Sequence, residues 1–127
     1  MKQPLLKTLL ICATCGLGAQ SQSQPQAPLL LTCDGTDPDW SLTIGEAHAS
    51  LDYGRSVTLD IPQRGSAKGR DWPKALTLVG RSDTAIVVLH QQRCDNAIVT
   101  GYPIEATVLT QRGEEPVILS GCCRYSD

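Results

Sequence analysis

From Leu29 onward the chain alternates apolar and polar residues in short runs separated by turn-forming residues. Trp40-Ser41-Leu42-Thr43-Ile44 places Trp40, Leu42 and Ile44 on one face, the period-two pattern of a half-buried strand. Ala47, Ala49, Leu51 and Tyr53 repeat it more weakly, and Val57, Leu59 and Ile61 repeat it again. A compact apolar run at residues 29–33 reads as the first strand. Residues 76–79 and 85–90 form the most apolar hairpin, expected at the centre of the core. Residues 104–110 and 117–123 make a last hairpin. Turns are expected at residues 34–39, 45–46, 54–55, 80–83 and 111–116, where Gly, Pro, Asp and Ser cluster. Residues 62–74 read as one long irregular segment, because Pro62, Gly65, Gly69 and Pro73 interrupt any period. No sustained 3.6-residue apolar period follows residue 28. The expectation is an all-β fold of about eight short strands, a small antiparallel barrel or strongly curled meander. Closure through the final strand would remove a vulnerable edge.

The N-terminus has a different character. Lys2 and Lys7 precede a short apolar run at residues 9–15, and Gly16, Gly18 and Ala19 supply small residues, the layout of an export signal over residues 1–19. The run is too short for a bilayer span, which needs roughly 20 residues. A Ser/Gln/Pro stretch at residues 20–28 reads as a disordered linker, leaving residues 29–127 as a single β domain. Cleavage after Ala19 gives a soluble exported product. Acylation at Cys15 would instead anchor the chain to a membrane surface, although Cys12-Ala13-Thr14 matches a lipobox poorly. The expected location is the periplasm, or the outer membrane if the chain is lipidated.

Export changes the reading of the cysteines. Two of the six lie in the signal, leaving Cys33, Cys94, Cys122 and Cys123, an even number that reads as disulfides in an oxidising compartment. Three pairings are possible. Adjacent strand residues point to opposite faces, so Cys122 and Cys123 should reach different partners. Val117, Leu119, Gly121 and Cys123 share the more apolar face of the last strand, which turns Cys123 inward and Cys122 outward or toward the rim. Cys33 ends an apolar strand and Cys94 begins a polar loop. The expected bridges are therefore Cys33–Cys123 and Cys94–Cys122, and a bulge at Gly121 would exchange the partners. Four-cysteine metal ligation needs two closely spaced pairs, which this spacing does not supply.

Composition adds two constraints. The 127 residues include no Phe, one Met, two Trp and three Tyr, so the core must be mostly aliphatic. Removing a signal with Lys2 and Lys7 takes two of eleven Lys and Arg and leaves nine against thirteen Asp and Glu, a formal charge of −4. Nucleic acid, which requires a basic face, is not an expected partner.

Two segments resemble a known group. Cys33-Asp34-Gly35-Thr36-Asp37-Pro38-Asp39-Trp40 through Ile44 is similar to the Gly-Thr-Glu-Pro-Phe-Trp-x-x-x-Ile opening of small exported proteobacterial proteins described as lipoproteins or membrane proteins. Cys94-Asp95, Tyr102-Pro103 and Gly121-Cys122 resemble that group's closing segment. The chain departs at Asp37 and Asp39, where the group has Glu and Phe, and it lacks a Gly-Met-Ser-Asp section before Tyr102. The resemblance implies an architecture like the META-type and MliC-like envelope barrels and points to Trp40 and Tyr102 without supplying an activity. The MliC-like inhibitors plug the lysozyme cleft with a Ser-Gly-x-x-Tyr loop. That loop is not found here: Ser66-Ala67-Lys68-Gly69 has a Ser and a Lys close together but not the motif.

Candidate chemistry is sparse. His48 and His90 are the only histidines, each on an expected strand without a partner nucleophile, and read as ordinary strand residues. No Gly-x-Ser-x-Gly, phosphate loop or His-Glu-x-x-His occurs. Asp34, Asp37 and Asp39 lack the spacing of a calcium loop and read as turn residues. Trp40 is expected as the main core aromatic and Tyr102 as a corner residue. The segment with Arg64, Lys68, Arg70 and Lys74 around Trp72 is the better contact candidate, suited to an anionic surface. The functional expectation is a non-enzymatic envelope protein without a cofactor, which binds another envelope component or contributes to its integrity. The alternative is a proteinaceous inhibitor of a lysozyme-like hydrolase.

Overall fold

The computed structural model describes residue 16, residues 28–113 and residues 115–127. The expected signal apart from residue 16, with the candidate acylation site Cys15, and residues 20–27 of the expected linker lie outside the described residues. Eight antiparallel strands run up and down and close into a barrel: β1 (Leu31–Gly35), β2 (Trp40–Ile44), β3 (His48–Tyr53), β4 (Arg55–Ser66), β5 (Lys74–Val79), β6 (Thr84–Cys94), β7 (Tyr102–Gln111) and β8 (Val117–Tyr125). Every strand pairs with its sequence neighbour. β1 closes the ring on β8, with Cys33 opposite Cys123 and Asp34 opposite Cys122. The closing pair continues past β1, where the Ser126 amide donates to the Leu30 carbonyl at 3.0 Å.

The alternation determines which residues face inward. Leu42, Ile44, Leu51, Leu59, Leu78, Val87, Leu89, Ile104, Val108 and Leu119 are almost fully buried and fill the interior. Aliphatic side chains suffice for this volume, with Trp40 the only tryptophan fully inside. Its indole occupies space left by two glycines. A Cβ on Gly35 would overlap the ring, and one on Gly121 would lie 2.7 Å from Trp40 Cζ2 and closer still to the Asp34 carbonyl oxygen. The Trp40 Nε1–H donates to the Ser120 carbonyl at 3.0 Å, so the buried indole loses no hydrogen bond.

Both expected bridges are present. Cys33 and Cys123 join directly opposed residues inside the barrel, with Cα atoms 4.0 Å apart. Cys94 and Cys122 join on the outside, 5.4 Å apart. Cys122 points outward as expected yet is buried, because the β6–β7 loop folds over it. That loop is pinned by Asn96, whose Nδ2 donates to the Asp34 carbonyl at 3.2 Å and whose Oδ1 accepts from the Ile98 and Val99 amides at 2.9 Å.

Several boundaries differ from the sequence expectation. The first strand begins at Leu31 and continues through Asp34 and Gly35, which read as a turn, because β8 pairs with Asp34 and β2 with both Asp34 and Gly35. Ala47 is exposed and precedes β3 instead of joining its inward face. Residues 62–74 are not one irregular segment. Residues 62–66 complete β4, Lys74 begins β5, and only residues 67–73 form the connection. Pro62 misled the reading. It sits in a bulge where Asp60 pairs with Val79 and Gln63 with Thr77, so two β4 residues face one β5 residue. Pro lacks the N–H that the ladder would use, and a bulge accommodates that loss. Pro103 lies on the other side of a second irregularity, as the single β7 residue that Gln92 and Arg93 of β6 face between the Gln91–Ile104 and Cys94–Tyr102 pairs.

Candidate functional site

The up-and-down topology gives the barrel two unlike ends. At the proximal end the chain enters β1 and the β2–β3, β4–β5 and β6–β7 connections are made. The distal end carries the other four turns.

At the proximal end β4 outruns its neighbours. Residues 62–66 are all exposed, so the tip of the β4–β5 hairpin projects from the barrel. Beneath it lies an open mouth of about 340 Å³. Leu29, Ile44, Leu76 and Leu89 form its apolar floor, and Arg64, Ser66 and Lys74 edge it. The Arg64 Nη2 donates to the Gly45 and Glu46 carbonyls at 2.6 and 2.7 Å, tying the hairpin to the β2–β3 turn. Lys74 Nζ hydrogen-bonds to Ser66 Oγ at 3.0 Å and lies 5.2 Å from the centre of the Trp72 ring, a cation–π distance. Lys68 and Arg70 are exposed at the tip. The structure thus gathers Arg64, Lys68, Arg70, Trp72 and Lys74 on one projecting hairpin. Trp72 is half-buried against the core instead of standing free in solvent.

The other two aromatic candidates lie elsewhere. Trp40 is buried at the far end of the strand whose last residue, Ile44, lines the mouth, so it is a core residue and cannot touch a ligand there. Tyr102 opens β7, half-buried, opposite Cys94. His48 and His90 both lie on the exterior. His48 Nε2 is 3.2 Å from Asp60 Oδ1 between exposed side chains, and His90 pairs in register with Glu105. Asp34 is half-buried on β1, while Asp37 and Asp39 are exposed in the β1–β2 turn.

The distal end holds a charge cluster that the sequence reading missed. Asp83, in the β5–β6 turn, is 7% exposed at its side chain. Both its carboxylate oxygens accept from Arg55 Nη2, at 3.0 and 3.2 Å. Arg112, in the β7–β8 turn, approaches Asp83 Oδ1 with Nε at 3.7 Å, close enough for attraction but too far for a hydrogen bond. Its Nη1 donates to the Tyr53 carbonyl, and its guanidinium lies 5.5 Å from the Tyr53 ring centre. Arg112 Nε and Nη2 are buried without hydrogen-bond partners. Three distal turns thus meet at one carboxylate. The cluster closes the barrel end as structure, and nothing local in the sequence distinguishes these three charges from solvated turn residues.

The β6–β7 loop contains one perturbed acid. The Gly101 amide donates to Asp95 Oδ1, and Arg93 lies 3.4 Å from Oδ2. The amide hydrogen bond first, and the neighbouring charge after it, hold this carboxyl below its ordinary value. Among the described residues, no group of three or more His, Cys, Asp or Glu is assembled as a metal site. No family model matches the chain, and no curated protein or solved structure matches it.

Proposed function

We propose that the protein is a non-enzymatic component of the cell envelope that binds an anionic partner through the β4–β5 hairpin. The observation that carries this reading is the collection of four cations, Arg64, Lys68, Arg70 and Lys74, with Trp72 on one projecting element in a chain whose formal net charge is −2. Such a concentration of positive charge against the overall balance favours phosphate- or carboxylate-bearing surfaces. The two bridges suit an oxidising exported location. The chain also enters β1 at the same end, beside the mouth that Pro28 and Leu29 help to line. A lipid anchor at Cys15 would therefore tether the molecule with its basic hairpin toward the membrane.

Cosedimentation with phosphatidylglycerol-rich vesicles, against neutral phosphatidylcholine vesicles, tests the proposal. Each basic residue near an anionic surface contributes about 1 kcal/mol, so Lys68→Ala with Arg70→Ala should weaken binding by roughly 30-fold. Equal binding to neutral and anionic vesicles, or no effect of the double substitution, would refute it.

A further inference from the structure

The inner face of the β4–β5 hairpin carries charge where the filled barrel below it carries aliphatics. Leu59 and Ile61 of β4 pack toward the core, and an unbroken alternation would send Gln63 and Gly65 after them. The bulge at Pro62 shifts the phase by one residue. Gln63 then pairs with the outward Thr77, while Arg64 pairs with the inward Leu76. Ser66 pairs with Lys74, which is itself opposite the inward Leu89. Directly opposed residues of an antiparallel ladder share a face. Arg64, Ser66 and Lys74 therefore all look onto the open mouth.

The floor under them is closed. Ile44 is 1% exposed and Leu89 0%, so the space of about 340 Å³ is a shallow cup and not the entrance to a hollow barrel. Leu29, only partly buried, and the aliphatic stems of Arg64 and Lys74 supply its accessible apolar wall. Neither cation is neutralised: among the described residues no carboxylate lies within ion-pair distance of Arg64 or Lys74, and none of the described lining residues is acidic. Arg64 is fixed by the Gly45 and Glu46 carbonyls through Nη2 alone, and its Nε and Nη1 have no acceptor among the described residues. Lys74 Nζ bonds to Ser66 Oγ, and an ammonium has two further N–H groups to give.

We propose that this mouth binds a single-chain fatty acid, with its carboxylate between Arg64 and Lys74 and its chain laid across Leu29 and Leu76. Fixed cations above an apolar cup complement an anion that carries a hydrocarbon chain, and charge-assisted hydrogen bonds are the strong ones. Small-ligand pockets span about 300–1,000 Å³, and a cup at the low end of that range admits one chain but not the paired chains of a phospholipid. Arg64 and Lys74 share rungs with Leu76 and Leu89, so the charge must follow the chain directly. A carboxylate meets that requirement and a glycerophosphate headgroup does not. The inference goes beyond the envelope reading, which uses the charge of the hairpin but needs no ligand in the mouth.

Methyl NMR titration of the oxidised protein with submicellar decanoate tests it. Saturable shifts are expected at Leu29 and Leu76, with none at Val117 at the distal end. Decanol, which lacks the charge, should bind at least about tenfold more weakly, and so should decanoate to Lys74→Met, since each loses charge-assisted hydrogen bonding. Acetate, which lacks the chain, should not saturate. Ser66→Trp places a large ring in the mouth from an exposed position and should abolish the shifts. Arg81→Ala, which removes an exposed distal cation, should leave them unchanged. A thermal melt within a few degrees of the parent qualifies each variant, and Lys74→Met and Ser66→Trp stand in for one another if one fails. Equal binding of decanol and decanoate, an unchanged affinity in the qualified variant, or tighter binding of lauroyl lysophosphatidylglycerol than of decanoate would overturn the proposal. Vesicle binding without decanoate binding overturns this inference alone, and decanoate binding without vesicle binding upholds it and overturns only the function proposed above.

Discussion

Asp83→Asn removes one negative charge and almost no volume from the distal end, which makes it a sharp test of how that end is held. The Asp83 carbonyl still accepts from the Gly80 amide, so the β5–β6 turn survives. The parent carboxylate serves two cations differently. Arg55 is 60% exposed at its side chain, and water replaces much of what it loses. Arg112 is only 15% exposed, and its Nε and Nη2 have no hydrogen-bond partners. Losing the carboxylate leaves Arg112 without a counter-charge, with only a neutral amide beside it and the Tyr53 carbonyl and ring. Breaking a buried pair costs about 3–5 kcal/mol. Residual exposure and the Tyr53 contacts place this case near about 3 kcal/mol, or a melting shift on the order of 15 °C for a domain of this size. Urea titration followed by circular dichroism, with both bridges intact, measures it. Arg112→Met should largely relieve the penalty, because the double variant no longer buries an unpaired cation. The double variant is expected to be more stable than Asp83→Asn by at least about 1 kcal/mol. Strict additivity of the two substitutions, or a loss below about 1 kcal/mol for Asp83→Asn, would show that the cluster does not hold the barrel end.

Three further outcomes are expected. Gly121→Ala should destabilise by about 3 kcal/mol through overlap with Trp40 and Asp34, whereas Gly65→Ala, with open space around its Cβ, should change stability by less than about 1 kcal/mol; equal thermal melts would refute the close packing. Replacing both cysteines of the 90-residue bridge by Ala should cost about 4.5 kcal/mol on the chain-entropy account and those of the 28-residue bridge about 3.5, and thiol titration of the denatured, unreduced exported protein should find no free cysteine. Asp95 has a lowered folded-state pKa, so its contribution is present above the ordinary value of 3.8 and is lost as pH falls through the lower folded value; the Gly101 amide resonance should therefore titrate with a midpoint below 3.8, and a midpoint at or above 3.8 would refute the hydrogen bond.

Much of this architecture is legible in the chain because a barrel filled with side chains imposes a strict inside–outside alternation. Trp40-Ser41-Leu42-Thr43-Ile44 states its own strand and its own buried face, and β2 has those limits. The same alternation in β8 separates Cys122 from Cys123 and thereby selects both bridges. Pro62 defeated the local reading because a proline can break a strand or occupy a bulge within one. Only the partner strand, by supplying Thr77 to Gln63, decides between them. Trp72, read only as part of a basic contact segment, packs against the core for a similar reason: local polarity says nothing of what a residue folds against.

The least legible features depend on distant segments. Asp83 and Arg112 are 29 positions apart and Tyr53 lies earlier still, yet barrel closure brings their turns together at one end. Likewise Ile86, Leu109 and Ile118 each read as an isolated aliphatic on the polar side of a strand. The register of three strands makes them a row. Periodicity is a property of neighbours along the chain and survives without tertiary structure. Charge pairing, glycine–tryptophan contact and surface patches are properties of neighbours in space, and here shear and ring closure determine which residues those are.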